Sequence, residues 1–200
     1  MDWKTIIKEE TEDCGITLLP SAIKKGDQYR YVISPFESRI SKEFQQAVLI
    51  ALERLLKKEL KEANCIVLSE AKSFLLAPLA LKTGKDIVLI RKKDYKVPGE
   101  IVIKQETTLS KKSKPDIFYC VGLDRDDKPI LLDDLISSGR TTNGVLKALI
   151  ENDIKPVAVA SVYERGQGVA KIKEETGFDV KSVARLEINN EEPECIIHEF

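Results

Sequence analysis

Two adjacent carboxylates, Asp133 and Asp134, close the apolar run Ile130-Leu131-Leu132, and a hydroxyl-rich turn, Ser137-Ser138-Gly139-Arg140-Thr141-Thr142, follows them. Carboxylates hold sugar hydroxyls directly or through Mg²⁺, which prefers carboxylate and water oxygens. A turn of small residues that opens a helix offers its backbone N–H groups to an anion, because the first N–H groups of a helix lack intrahelical partners. In an α/β domain this order places both devices at the carboxyl end of a strand, the edge at which open parallel sheets bind ligands. The stretch 130–142 is therefore a grip for a 5-phosphorylated ribose.

The elements that must carry this grip alternate along the chain. Apolar residues at helical spacing mark a helix over 41–61, with Ser41 as its cap and Glu43 close behind. Cys65–Leu68 reads as a short buried strand, Phe74–Lys82 as a helix ending at Gly84, and Ile87–Ile90 as a strand. Asp116–Val121 and Pro129–Leu132 read as strands, with a helix from about Thr142 to Glu151. Val157–Tyr163 is a strand, Val169–Thr176 a helix stopped by Gly177, and Val180–Ile188 a last strand. Such alternation predicts an α/β fold, a central and mostly parallel sheet flanked by helices.

At 200 residues and 42% hydrophobic, the chain reads as one domain spanning 1–200. Its 32 basic and 33 acidic residues leave a net charge of −1, which gives no field to recruit nucleic acid or an anionic membrane. The cysteines, Cys14, Cys65, Cys120 and Cys195, are scattered and there is a single histidine, His198, so no zinc constellation is expected and buried thiols are. No secretory segment or apolar run of about 18 residues is visible, and a cytoplasmic protein is expected. Residues 92–115 are the exception to the alternation: lysine-rich, between two core strands, and readable either as a solvated β-excursion or as a flexible lid.

Several motifs together resemble the type I phosphoribosyltransferases. Residues 130–142 look like the signature that binds phosphoribosyl pyrophosphate (PRPP) in that family, and Ser69-Glu70-Ala71-Lys72-Ser73-Phe74 resembles the pyrophosphate loop of its adenine enzymes. Arg91-Lys92-Lys93 with Lys96-Val97-Pro98-Gly99-Glu100 resembles the strand end and lid entry of the purine enzymes. Val162-Tyr163-Glu164-Arg165-Gly166, with Thr176-Gly177-Phe178 and Ala184-Arg185-Leu186, is similar to archaeal purine salvage enzymes. The resemblance covers roughly 12–190 and adds to the expected fold a small hood, from about 12–40 and 180–200, and a lid over 92–115.

What the resemblance implies is transfer of phosphoribosyl from PRPP to a purine, releasing pyrophosphate. Asp133 and Asp134 then hold the ribose hydroxyls and, indirectly, the metal Mg²⁺. Ser137, Ser138, Gly139, Arg140 and Thr141 wrap the 5-phosphate. Glu70, Ala71, Lys72 and Ser73 with Arg91 take the pyrophosphate, arginine being suited to bidentate contact. Glu106 in the lid is a candidate acid/base, and Glu164, Arg165 and Tyr31 are candidates for reading the base, Tyr29 and Tyr31 belonging either to the hood or to the core. Each has a plainer reading: a surface glutamate for Glu106, a strand-end ion pair for Glu164 and Arg165, a structural ion pair for Arg91. Lys72-Ser73 departs from the Arg-Gly usual in the adenine enzymes, and Arg140 stands where glycine is frequent.

The pyrophosphate loop and Ser137, where many 6-oxopurine enzymes carry a third acid, lean towards adenine and AMP. Arg165, a donor suited to an exocyclic O6, leans towards hypoxanthine or guanine. The expectation is adenine, with the 6-oxopurines as the alternative and a non-catalytic PRPP sensor as a reading from a different class. The same resemblance implies a homodimer.

Overall fold

The computed structural model describes residues 2–13, 16–18, 31–33, 39–104, 116–189 and 192–200. In chain order these form α1 (Trp3–Asp13), β1 (Ile16–Leu18), β2 (Tyr31–Ile33), α2 (Lys42–Leu55), α3 (Glu59–Glu62) and β3 (Cys65–Ser69). Next come α4 (Ser73–Thr83), β4 (Asp86–Ile90), β5 (Ile101–Lys104), β6 (Ile117–Cys120) and β7 (Pro129–Ile136). The rest is α5 (Arg140–Glu151), β8 (Ala158–Glu164), α6 (Gly168–Thr176), β9 (Val180–Asn189) and β10 (Glu192–Ile197).

Six strands make the central sheet in the order β10-β9-β8-β7-β3-β4. All neighbours pair in parallel except β10, which turns back antiparallel on β9. The chain winds outward from β3 to β4, then returns to β7 on the other side of β3 and winds outward again through β8 and β9. The switch of direction falls between β3 and β7, which is where an open α/β sheet leaves a crevice.

Two apolar clusters cover the faces. One joins α1, α2 and α4 to the sheet through Ile7, Phe44, Leu52, Leu56, Leu76 and Leu79, each at most 1% exposed. The other joins the opposite face to α5 and α6 through Val145, Leu146, Leu149 and Ile172. Burying each such side chain stabilises by about 1.5–3 kcal/mol. Ser41 caps α2 as its sequence suggests, its Oγ accepting the Phe44 N–H at 2.9 Å. Gly177 ends α6 in the left-handed conformation at φ +76°.

Four boundaries differ from the sequence reading. β7 does not end at Leu132 but runs through both acids to Ile136, because β8 pairs with it along that length. The helix expected over 41–61 is broken at 56–58, with Leu56 capping the first segment and fully buried. α5 starts at Arg140, before Thr142, since Gly139 at φ +74° turns the chain directly into it. The strand expected at 116–121 pairs antiparallel with β5 in a separate two-stranded ribbon outside the main sheet. That ribbon is tied back by Arg91 and Tyr119, whose backbones exchange hydrogen bonds at 2.9 and 2.8 Å.

Residues 180–189 and 192–197, assigned to the hood by resemblance, are strands of the main sheet. No described helix is long and apolar enough to cross a membrane. Cys65, Cys120 and Cys195 are buried free thiols.

Within β7, β8 and β9 the alternation of faces slips at one level. Val162 and Tyr163, consecutive in β8, both join the cluster under α1 and α2, as do consecutive Val183 and Ala184 in β9. In β7, Leu132 and Leu135 share that cluster three residues apart, while Ile136 faces the other. The register pairs pass from Asp133–Ser161 to Leu135–Tyr163, and from Ser161–Ser182 to Tyr163–Ala184. The slip lies at Asp134, Val162 and Val183, level with the acids.

Candidate active site

At the switch point, β3 ends in Ser69 and a single 3₁₀ turn, Glu70–Lys72, leads into α4. Beside it β7 carries Asp133 and Asp134 and then turns through Ser137–Gly139 into α5. Leu68 and Leu132 are register partners, so the two turns emerge side by side. A small cavity of about 30 Å³, roughly one water molecule in size, lies between them and is lined by Ser69, Ile90, Phe118, Asp133, Thr141 and Thr142, among others. The ribbon reaches the same place through Phe118.

Asp133 lies on the face of the sheet that α5 covers. Burial, the neighbouring Asp134 charge and a hydrogen bond with that carboxyl push its pKa up to about 8, against one backbone contact: the Asp134 N–H donates to Asp133 Oδ1 at 3.0 Å. Two close carboxyls cannot both ionise cheaply, and the proton kept on Asp133 relieves their repulsion. Among the described residues no group of three or more metal-ligating side chains gathers anywhere.

The residues expected to wrap the 5-phosphate form a close turn. Arg140 Nε donates to Ser138 Oγ at 3.3 Å, holding the arginine along the turn. The Asn143 N–H donates to the Gly139 carbonyl at 2.8 Å, which leaves the N–H groups ahead of it outside the helical ladder. The turn rests on the start of α6: a Cβ at Gly139 would lie 2.7 Å from the Gly168 carbonyl oxygen, and one at Gly168 would lie 2.3 Å from that of Ser137. Both positions thus require glycine. Gly168 escaped the sequence reading, although two glycines two residues apart just after a strand, Gly166 and Gly168, were there to be read.

The structure brings together Glu70–Ser73, Asp133, Asp134 and Ser137–Thr141. It places others elsewhere. The Arg91 guanidinium, expected on pyrophosphate, is paired with Glu100 through Nη2 and lies 5.0 Å from the Tyr95 ring centroid. Glu164, expected to read the base, is buried and already bound: Ser182 Oγ donates to it at 2.6 Å, Arg185 Nη1 lies at 3.3 Å and His198 Nε2 at 3.5 Å. Arg165 follows β8, its N–H donating to the Ile136 carbonyl at 2.9 Å, and burial lowers its pKa. Glu106, Tyr29 and the side chains of Lys72 and Tyr31 lie outside what is described.

No protein-family profile matches the chain. It is 34% identical over 167 residues to the hypoxanthine/guanine phosphoribosyltransferase of Methanothermobacter thermautotrophicus, covering 83% of this chain and 84% of that protein. It is also 34% identical over 187 residues to the hypoxanthine/guanine phosphoribosyltransferase of Methanothermus fervidus, covering 92% and 96%. In fold it is similar to the crystal structure of adenine phosphoribosyltransferase from Thermoanaerobacter pseudethanolicus, with a TM-score of 0.70 at 19% identity over 88% of this chain and 98% of that one.

Proposed function

The chain belongs to the type I phosphoribosyltransferase family and is a purine phosphoribosyltransferase, and on that premise we propose that its base is a 6-oxopurine, hypoxanthine or guanine, joined to ribose 5-phosphate from PRPP. The observation that carries the reading is the meeting of two turns at the sheet's switch point, one bearing paired acids and a phosphate loop and the other a helix N-terminus. The 6-oxopurine choice rests on the archaeal relatives, which share a third of their residues with most of this chain. Adenine, favoured by the Glu70–Phe74 loop and by Ser137, is the second reading.

In the reaction, a purine ring nitrogen bonds to C1 of PRPP as the C1–pyrophosphate bond breaks, and the base loses a proton. Positive charge grows on the ribose and negative charge on the departing pyrophosphate. Asp133 and Asp134 hold the ribose hydroxyls on the side where positive charge develops. Ser137, Ser138, Gly139, Arg140 and Thr141 fix the 5-phosphate by N–H and hydroxyl donors, so the sugar is oriented before the chemistry begins. The turn at Glu70–Ser73 offers N–H groups to the pyrophosphate. Arg91 joins it by leaving Glu100. Mg²⁺ would be held near Asp133 and Asp134, whose paired carboxyls fit a cation, and would supply neutralisation of the negative charge that develops on pyrophosphate. Glu106 is assigned the base proton, as the resemblance suggests. Arg165 donates to the exocyclic oxygen of the base.

The test is a panel: the protein with PRPP, Mg²⁺ and each of hypoxanthine, guanine and adenine separately. The expected result is turnover of an oxopurine at least tenfold faster than adenine, and Arg165→Leu narrows that ratio. Faster turnover of adenine would replace this base assignment with the second reading.

A further inference from the structure

Asp133 in β7 and Ser161 in β8 are register partners in a parallel pair. Side chains of register partners leave the same face, on strands about 4.8 Å apart. The hydroxyl and the carboxyl therefore share the face covered by α5. Ser161 is 0% exposed and its Oγ has no hydrogen-bond partner among the described residues. An unpaired buried hydroxyl is costly, and alanine would pack as well there without it.

On its other side Ser161 is the register partner of Ser182 in β9, whose hydroxyl donates to Glu164. Glu164 is anchored in turn by Arg185. Ser182 has thus given its proton away and can only accept. The single proton of Ser161 has two acceptors on its flanking strands, the Ser182 hydroxyl and the Asp133 carboxyl, and the carboxyl becomes the stronger acceptor once the positive charge of the reacting ribose draws off its proton.

We propose that Ser161 is a positioning residue that donates to the Asp133 carboxyl when PRPP is bound and aims it at the ribose, an inference that rests on the role given to Asp133 above. Its free hydroxyl is the reserve that makes the bond when substrate draws Asp133 into place. Ser161 touches no substrate atom and acts through the acid alone.

The experiment is a double-mutant cycle read by steady-state kinetics on the full chain. Ser161→Ala raises KM for PRPP about tenfold, leaves KM for the purine unchanged, and unfolds at or above the parental temperature because an unpaired hydroxyl has gone. Ser161→Cys, which keeps the shape but donates weakly, behaves like the alanine variant. In an Asp133→Asn background Ser161→Ala has no further effect on KM for PRPP. An unchanged KM for PRPP in Ser161→Ala, or an equal loss in both backgrounds, overturns the inference. So does a lowered unfolding temperature with an unchanged KM, the mark of a purely structural role. If Asp133→Asn itself leaves KM for PRPP unchanged, the assignment of Asp133 falls as well, so the two failures are told apart.

Discussion

Replacing Gly168 by alanine puts a Cβ 2.3 Å from the Ser137 carbonyl oxygen and 2.8 Å from both the Ser137 carbonyl carbon and the Gly139 nitrogen. Carbon finds its ordinary contact distance beyond 3 Å, so the 137–139 turn and the start of α6 must separate by about 1 Å. The obstructing atoms are backbone, so no side-chain rotation relieves the clash. Overpacking of this kind costs about 1–3 kcal/mol, and a chain of this size loses roughly 2–4 °C of unfolding temperature per kcal/mol. The larger effect is on catalysis, where a 1 Å displacement of a binding group costs up to about 100-fold. Gly168→Ala should therefore raise KM for PRPP between about tenfold and 100-fold while leaving KM for the purine near its parental value. Gly84→Ala is the control: it too sits at positive φ, +66°, yet a Cβ there meets nothing within 4 Å. It should cost about 1 kcal/mol of stability with no effect on PRPP. A folded Gly168→Ala protein with parental KM for PRPP, or a Gly84→Ala protein with the same kinetic defect, would refute the reasoning.

Asp133 gives a pH dependence of definite sign. An unfolded carboxyl ionises near pH 4, whereas burial beside Asp134 holds the proton on folded Asp133 to higher pH, so above pH 4 the folded state binds more protons and stability falls as pH rises. The fall in unfolding temperature between pH 5 and 8 should be smaller in Asp133→Asn than in the parent, and equal slopes would contradict the assignment. Burial pushes the Cys65 thiol up to about 12 and those of Cys120 and Cys195 to about 11, so at pH 8 all three stay protonated. Mass spectrometry after iodoacetamide treatment of the native protein should find these three unmodified, and all of them alkylated in denaturant. Glu100→Gln strips the charge partner from an arginine whose side chain is only 11% exposed, and should cost about 3 kcal/mol of stability by denaturant titration. A loss below about 1 kcal/mol would mean that Arg91 is held by other contacts.

The elements with clean periodicity were legible from residues alone: the Ser41 cap, the glycine stops at Gly84 and Gly177, and the apolar strands around the switch point. The two acids and the small-residue turn after them were equally legible as the passage from a strand into a helix. β7 was cut short because a strand that pairs on both sides need not stay apolar: its hydrogen bonds to β8 carry it through Asp133 and Asp134. The ribbon was misplaced because β6 reads like any core strand, and only its pairing with β5 separates it. α1 and β10 were passed over because neither adjoins a motif, yet Tyr163 and Thr11 join α1 to the sheet by a hydroxyl contact of 2.5 Å. Glu164 shows the limit of motif reasoning. It was expected just past the end of a core strand, yet it is the last residue of β8, and its commitment to Ser182 and Arg185 depends on a strand that no local pattern links to it.

The shared slip at Asp134, Val162 and Val183 has a consequence for how this sheet can be altered. Three neighbouring strands change face at one level, so a residue inserted into or deleted from any one of them near that point would bring polar side chains against apolar ones across its neighbours. The acids' aim is in this sense joint property of β7, β8 and β9. A chimaera that exchanges the acid strand alone with a relative should misfold at that level, whereas one that carries all three strands across as a block should keep its grip on the sugar.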